Sequence, residues 1–270
     1  MMIMSDSFPV VDAHLHVDLY PPEKQEELLA EAFSQGVETV VAVSMDLASS
    51  IRTRELALRH RGRVHPAYGF HPEQEAPSEL EREELLTWIR ERHAAGEAFA
   101  IGEVGLPYYK RTEAEEASEP FDETPYLLLL ESFVALAAEL DRPIVLHAVY
   151  EDADKACSLL EQYGVRKAHF HWFKGSPDTM RRMAEAGYYI SVTPDIAYED
   201  EIIEVVRRYP VELMMAETDG PWPFEGPFSG RATVPEMARE SVLGIARVKG
   251  IASEEAARGL FLQSKKFYNL

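Results

Sequence analysis

Short apolar runs alternate along the chain with longer amphipathic stretches. Val10–His16 (VVDAHLH), Val37–Val43 (VETVVAV), Val64–Gly69, Ala98–Val104 (AFAIGEV), Pro143–His147 (PIVLH), Lys167–His171, Tyr188–Val192 and Leu213–Glu217 read as eight strands. They are short and rich in apolar and β-branched residues, as strands covered on both faces are. Pro22–Ser34 has helical spacing, with Leu28, Leu29, Ala32 and Phe33 on one side and Pro21-Pro22 suited to its first turn. Gly36 then supplies a natural stop. Asp46–Arg59 and Ser78–His93 are further helices, the second opened by a Ser78–Glu81 capping box. Helices ending at Leu140 and over 152–163, 176–186 and 199–209 separate the later strands, and two more follow the last one. The acidic stretch from Lys110 to Glu123 lacks this patterning and reads as a solvated insertion, a loop over Glu113–Glu123.

Regular β-α alternation implies parallel strands joined by right-handed crossovers. Eight such units imply an α/β fold of the closed (β/α)₈ TIM-barrel type. No shift of composition marks a second unit, so one domain is expected over residues 1–270.

Composition narrows the function. At 270 residues and 46% hydrophobic, the chain can bury a large core without staples. Its formal net charge of −20 argues against a broad nucleic-acid footprint. An anionic substrate would need a local positive centre. The single cysteine, Cys157, excludes an intrachain disulfide framework and reads as a small core residue. No apolar run reaches the ~20 residues of a membrane span. The opening MMIMSDSFPV has neither a basic segment nor a long apolar one, so no signal peptide is expected and the protein is placed in the cytoplasm.

In such barrels the reactive groups sit at the C-terminal ends of the strands. Those ends here carry Asp12, His14 and His16, then His71, Glu103, His147, His169 and His171, and finally Glu217 and Asp219. His14 and His16, two residues apart on a strand, face the same way. Imidazoles and carboxylates are the usual ligands of Zn²⁺, Mn²⁺ and Fe²⁺ and, less well, Mg²⁺. Burying so many unpaired would be costly, and a shared metal centre accounts for them together. His60 and His93 lie in helical patterns and read as exposed; His65 has no assigned role. Trp172, Phe173, Trp222, Phe224 and Phe228 cluster after strands six and eight and read mainly as packing under loops, with base stacking as the alternative. Lys110-Arg111 and Arg181-Arg182 read as solvated basic pairs, while Lys174 and Arg231 are candidates to reach a substrate anion. Neither a Walker loop, a dinucleotide fingerprint nor a serine nucleophile elbow occurs.

The stretches VDAHLH (Val11–His16), GFHP (Gly69–Pro72), IGEVGL (Ile101–Leu106), RPIVLH (Arg142–His147), HWFKGS (His171–Ser176) and ETDGP (Glu217–Pro221) fall in one order along nearly the whole chain. In this the chain resembles the TatD family of metal-dependent hydrolases, within the amidohydrolase-like barrels. The resemblance implies two divalent metal ions. His14, His16, Glu103 and Asp219 would hold one, and Glu103 would bridge to a second held by His147 and His171. His171 is preferred to His169 because it opens the stretch resembling the family's His-x-Phe-x-Gly. His71 resembles a position lining the substrate pocket. Asp219 would move the proton of a metal-activated water, with Glu103 setting the metal spacing.

The resemblance implies a phosphoesterase, with DNA or another nucleic acid engaged only at the metal site. No membrane or required protein partner is implied. Pro107 stands where the family usually has Asp, Val149 where it often has Arg, and the acidic 110–123 stretch is longer than usual. These departures spare the six ligand candidates and touch the substrate. They keep open hydrolysis of an amide or ester, including aminoacyl-tRNA deacylation. Retention of all six candidates argues against a non-catalytic metal-binding barrel.

Overall fold

The computed structural model describes residues 8–270. Residues 1–7, which carry most of the expectation about a leader and the start of the 1–270 domain, lie outside them. Eight strands, β1 (Val10–Leu15), β2 (Val37–Ala42), β3 (Val64–Tyr68), β4 (Ala100–Gly105), β5 (Ile144–His147), β6 (Ala168–Phe170), β7 (Tyr189–Val192) and β8 (Met214–Ala216), form one sheet in sequence order. Every neighbouring pair in it is parallel. Around it lie α1 (Pro22–Ser34), α2 (Leu47–Arg59), α3 (Glu79–Ala94), α4 (Tyr108–Glu116) and α5 (Thr124–Leu140). Then come α6 (Glu151–Tyr163), α7 (Pro177–Ala186), α8 (Asp200–Arg208), α9 (Ala238–Lys249) and α10 (Ser253–Tyr268). This is the expected (β/α)₈ barrel. The Ser78–Glu81 capping box forms, with Glu81 Oε2 accepting from Ser78 N at 2.8 Å.

The sheet closes just past the ends of its first and last strands. Asp219 N donates to His14 O and His16 N to Gly220 O, both at 2.9 Å. Two apolar layers hold the closure. The outer one lies between strands and helices and includes Cys157. The inner one fills the barrel with Val11, Ala13, Val41, Val43, Ala67, Ala100, Val145 and Met215, and Phe267 and Tyr268 of α10 pack into it. Gly105 lets β4 and β5 approach, since a β-carbon there would be driven into the His147 backbone.

Strict alternation would not aim the first two strands that carry ligand candidates correctly. Val11 and Ala13 point inward, yet Leu15 and Val17 point into the outer layer. The register of β1 shifts between Asp12 and Leu15, and this turns His14 and His16 into the barrel. In β4 a shift between Ile101 and Val104 does the same for Glu103. Irregularities of this kind re-aim side chains next to active sites.

The solvated-loop reading of the acidic stretch holds over residues 117–123 and needs correction before them. Tyr108–Glu116 is helix, with none of its residues buried. It escaped a reading based on apolar periodicity because it has no apolar stripe. Lys110 and Arg111 are half-buried and ion-paired rather than free: Lys110 Nζ meets the exposed Glu75, and Arg111 Nη2 lies 2.9 Å from carboxylates of both Glu151 and Asp152.

Candidate metal centre

Side chains from five strand ends and the β3–α3 loop converge at the C-terminal mouth of the barrel. Glu103 is at their centre, and its two oxygens face different partners. Oε2 lies 3.0 Å from His14 Nε2 and 3.1 Å from His16 Nε2. Oε1 lies 2.7 Å from His171 Nε2, 2.9 Å from His147 Nδ1 and 3.5 Å from His71 Nε2. Asp219 Oδ1 is 3.4 Å from His14 Nε2 and 3.5 Å from His16 Nε2. The six ligand candidates are therefore brought together, with His71 beside them, all of them buried. Asp219 adopts a left-handed backbone, φ 52°, uncommon outside glycine.

The donor set fits a cation. Despite these short separations, His14 Nε2, Glu103 Oε2 and Asp219 Oδ1, which face one another, have no hydrogen-bond partner, and neither do the other ring nitrogens, Nδ1, of His14, His16 and His171. Buried polar atoms are almost always paired, so orphans concentrated at one point mark a missing partner. Ligand atoms of His14, His16 and Glu103, of His14, His171 and Asp219, and of His71, Glu103 and His147 each fall within 4.8 Å of one another.

The electrostatics agree. Burial, with the neighbouring His171, holds His14 well below its ordinary range, so one of its ring nitrogens carries no proton and can act as a ligand. Burial would raise Glu103, but His171, His71 and His14 outweigh it and keep the carboxylate ionised. Burial and the neighbouring Glu103 push Asp219 well above the carboxylate range, as expected of a second acid buried beside a first. His147 runs the other way: burial acts downward, yet hydrogen bonds with Glu103 and Glu73 lift it to about 9, so it must give up its Nδ1 proton before it can ligate.

His169 is separated from His171 by what surrounds it. His169 Nδ1 lies 2.6 Å from Tyr268 Oη and Nε2 lies 2.5 Å from Ser191 Oγ, so both ring nitrogens are engaged below the mouth. His71 differs from the other imidazoles. Glu73 N donates to its Nδ1 at 3.2 Å, which leaves the ring proton on Nε2.

A cavity of 720 Å³ opens over the cluster, lined by His71, His147, His171 and Asp219 and, from outside, by Glu73, Tyr109, Lys110, Glu113, Val149, Trp172 and Trp222. Trp222 and Tyr109 stay exposed at its rim. Phe224 and Phe228 pack against each other and Trp172, and Phe173 is buried in the outer layer, as the packing reading expects. Lys174 and Arg231 lie over the Trp172 and Phe228 rings, and neither is among the cavity-lining residues. His60 and His93 are half-buried rather than free, beside Glu26 and Arg142. Sequence reasoning missed Glu73 and Tyr109. Glu73 follows His71-Pro72 directly, but nothing local shows that a helix from residue 108 meets it. Glu217 was noted without a role: its Oε1 accepts from Trp172 N at 2.7 Å and shapes the loop after β6.

An eight-stranded barrel with an imidazole–carboxylate cluster at its C-terminal mouth is the architecture of a metal-dependent hydrolase. The family profile described as TatD related DNase matches residues 11–269, and the chain belongs to that family. A Haemophilus influenzae protein, named as an uncharacterized metal-dependent hydrolase, is 34% identical over 259 residues, covering 96% of this chain and 99% of the relative. The human deoxyribonuclease TATDN3 is 29% identical over 252 residues, 91% of this chain and 89% of its own. Among solved structures, the TatD homologue YJJV of Escherichia coli superposes with a TM-score of 0.81 at 25% identity, covering 97% of this chain and 98% of that one. Among the described residues no helix is long and apolar enough to cross a membrane.

Proposed function

We propose that the chain is a cytoplasmic phosphoesterase of the deoxyribonuclease type, working with two divalent cations (Zn²⁺, Mn²⁺, Mg²⁺ or Fe²⁺). The observation that carries this reading is the division of Glu103, one oxygen toward His14 and His16 and the other toward His147 and His171. His14, His16, Glu103 and Asp219 would hold one cation, and Glu103, His147 and His171 the other. Cations held there would supply Lewis acidity toward a water molecule and the scissile group.

The chain's own residues do the rest. Asp219 Oδ1, free of hydrogen bonds and ionised once cations are held beside it, would accept the proton of the attacking water and pass it toward the leaving group. His71, with its proton on Nε2, presents a donor to a substrate oxygen from the cavity wall. Trp222 and Tyr109 offer exposed rings at the rim on which a base can stack. The name of the human relative supports DNA as the substrate class.

A second reading, hydrolysis of an amide or ester, is favoured by the character of the mouth. Glu73 and Glu113 line it, Lys110 is held by Glu75, and Val149 offers no charge to a phosphate.

The test is hydrolysis of a chromogenic phosphodiester by metal-free protein with Mn²⁺ or Mg²⁺ restored. Turnover should require metal, and Asp219→Asn should lower it by roughly 10²- to 10⁴-fold. Two metals bound per chain with no turnover would sink the phosphoesterase reading and send the protein to amide and ester substrates.

A further inference from the structure

Glu73 belongs to none of the six ligand candidates, yet its carboxylate touches both the metal cluster and the rim. Its Oε1 lies 3.2 Å from His147 Nε2, the ring nitrogen facing away from Glu103. The same oxygen accepts from Tyr109 N at 2.9 Å, and Oε2 accepts from Lys110 N at 2.8 Å. Those amides belong to the first turn of α4, whose preceding residue, Pro107, offers no side-chain cap. An uncapped first turn leaves its N–H groups without acceptors, and Glu73 supplies them from another part of the chain.

His147 turns Nδ1 toward Glu103 and His171, at 2.9 and 3.2 Å. A histidine that ligates through one nitrogen carries its proton on the other, and an acceptor there fixes both the ring plane and the tautomer. Glu73 is that acceptor, and α4 holds it in place through two backbone hydrogen bonds.

We infer that Glu73 is a positioning residue that accepts the Nε2 proton of His147, so that His147 meets a metal through Nδ1, and that it is itself braced by the first turn of α4. This rests on the metal-centre reading above. The rim helix that carries Tyr109 is thereby tied to the metal site by one carboxylate, so the cavity wall and the second cation position are built together.

Metal-free wild type, Glu73→Gln, Glu73→Ala and His147→Ala are titrated with Co²⁺ and followed by its visible absorption. Exchange of the Tyr109 and Lys110 amides is measured alongside. Glu73→Gln keeps an oxygen for α4 but loses the charged acceptor of His147. It should keep one of the two helix amides protected and lose protection of the other, whose acceptor becomes an NH2 group, yet weaken by about 10- to 100-fold the same Co²⁺ equivalent that His147→Ala weakens. Glu73→Ala should lose both the affinity and the amide protection. If either Glu73 variant binds Co²⁺ as tightly as wild type, Glu73 is only a helix cap and the inference is overturned. It is overturned as well if Glu73→Gln weakens an equivalent that His147→Ala leaves untouched. Wild type that takes up no Co²⁺ would instead bring down the metal-centre reading, and this inference with it.

Discussion

Asp12 and Thr218 stand 206 residues apart in the chain, and Asp12 accepts from both the Thr218 N–H, at 3.0 Å, and the Thr218 hydroxyl, at 2.5 Å. Asp12 Oδ1 also accepts from His14 N at 3.3 Å. One buried carboxylate thus bridges the first and last strand ends immediately beneath His14 and Asp219. It joins the two backbone hydrogen bonds that close the barrel there.

Asp12→Ala should therefore cost on the order of 3 kcal/mol in stability, because it strands the buried N–H and O–H of Thr218. Asp12→Asn, which keeps one acceptor oxygen, should lose less. Urea denaturation checks the order. Equal midpoints for Asp12→Ala and wild type would show that the bridge contributes nothing to closure.

The two histidines of β6 should separate cleanly. His171→Ala should lower the amount of metal bound per chain with little loss of fold, because His171 Nε2 faces Glu103 and its Nδ1 has no partner. His169→Ala should leave metal stoichiometry intact and destabilise by roughly 2 to 4 kcal/mol, through a cavity and the lost bonds to Tyr268 and Ser191. Metal analysis after dialysis, paired with thermal melts, reads both. The assignment fails if His169→Ala is the variant that loses metal.

His65, at the opposite end of the barrel, should make stability depend on pH. Burial, with Arg142 adding to it, pushes this imidazole from 6.5 down to about 4, and its Nε2 has no partner. The folded state therefore favours the neutral ring. The resulting stability is fully present above about pH 6.5 and is lost as pH falls toward about 4. Between about pH 7 and about pH 4, wild type should lose on the order of 3 kcal/mol more than His65→Leu. Parallel losses in the two proteins, measured by urea denaturation at both pH values, would assign the acid sensitivity to other groups.

What the sequence determined by itself is local and periodic. Each strand lies within two residues of its expected bounds, and α1 has exactly the expected ones, because burial on both faces leaves a short apolar run that any window detects. Six of the site residues sit at those strand ends, so their convergence followed once eight β-α units were counted.

What only the tertiary structure decided depends on contacts between distant segments. The shifts in β1 and β4 that turn His14, His16 and Glu103 inward leave no periodic trace, because one extra residue in a strand changes its facing and not its composition. His169 and His171 share a face, and where the sequence could prefer His171 only through the resemblance of its motif, the structure gives the physical reason: Tyr268 and Ser191 engage His169 and Glu103 meets His171. The helix Tyr108–Glu116 has no apolar stripe to announce it, and the carboxylate of Glu73 that supplies its first-turn acceptors comes from before α3. Hydrogen bonds across such distances depend on where the barrel brings the backbone, which no stretch of sequence encodes alone.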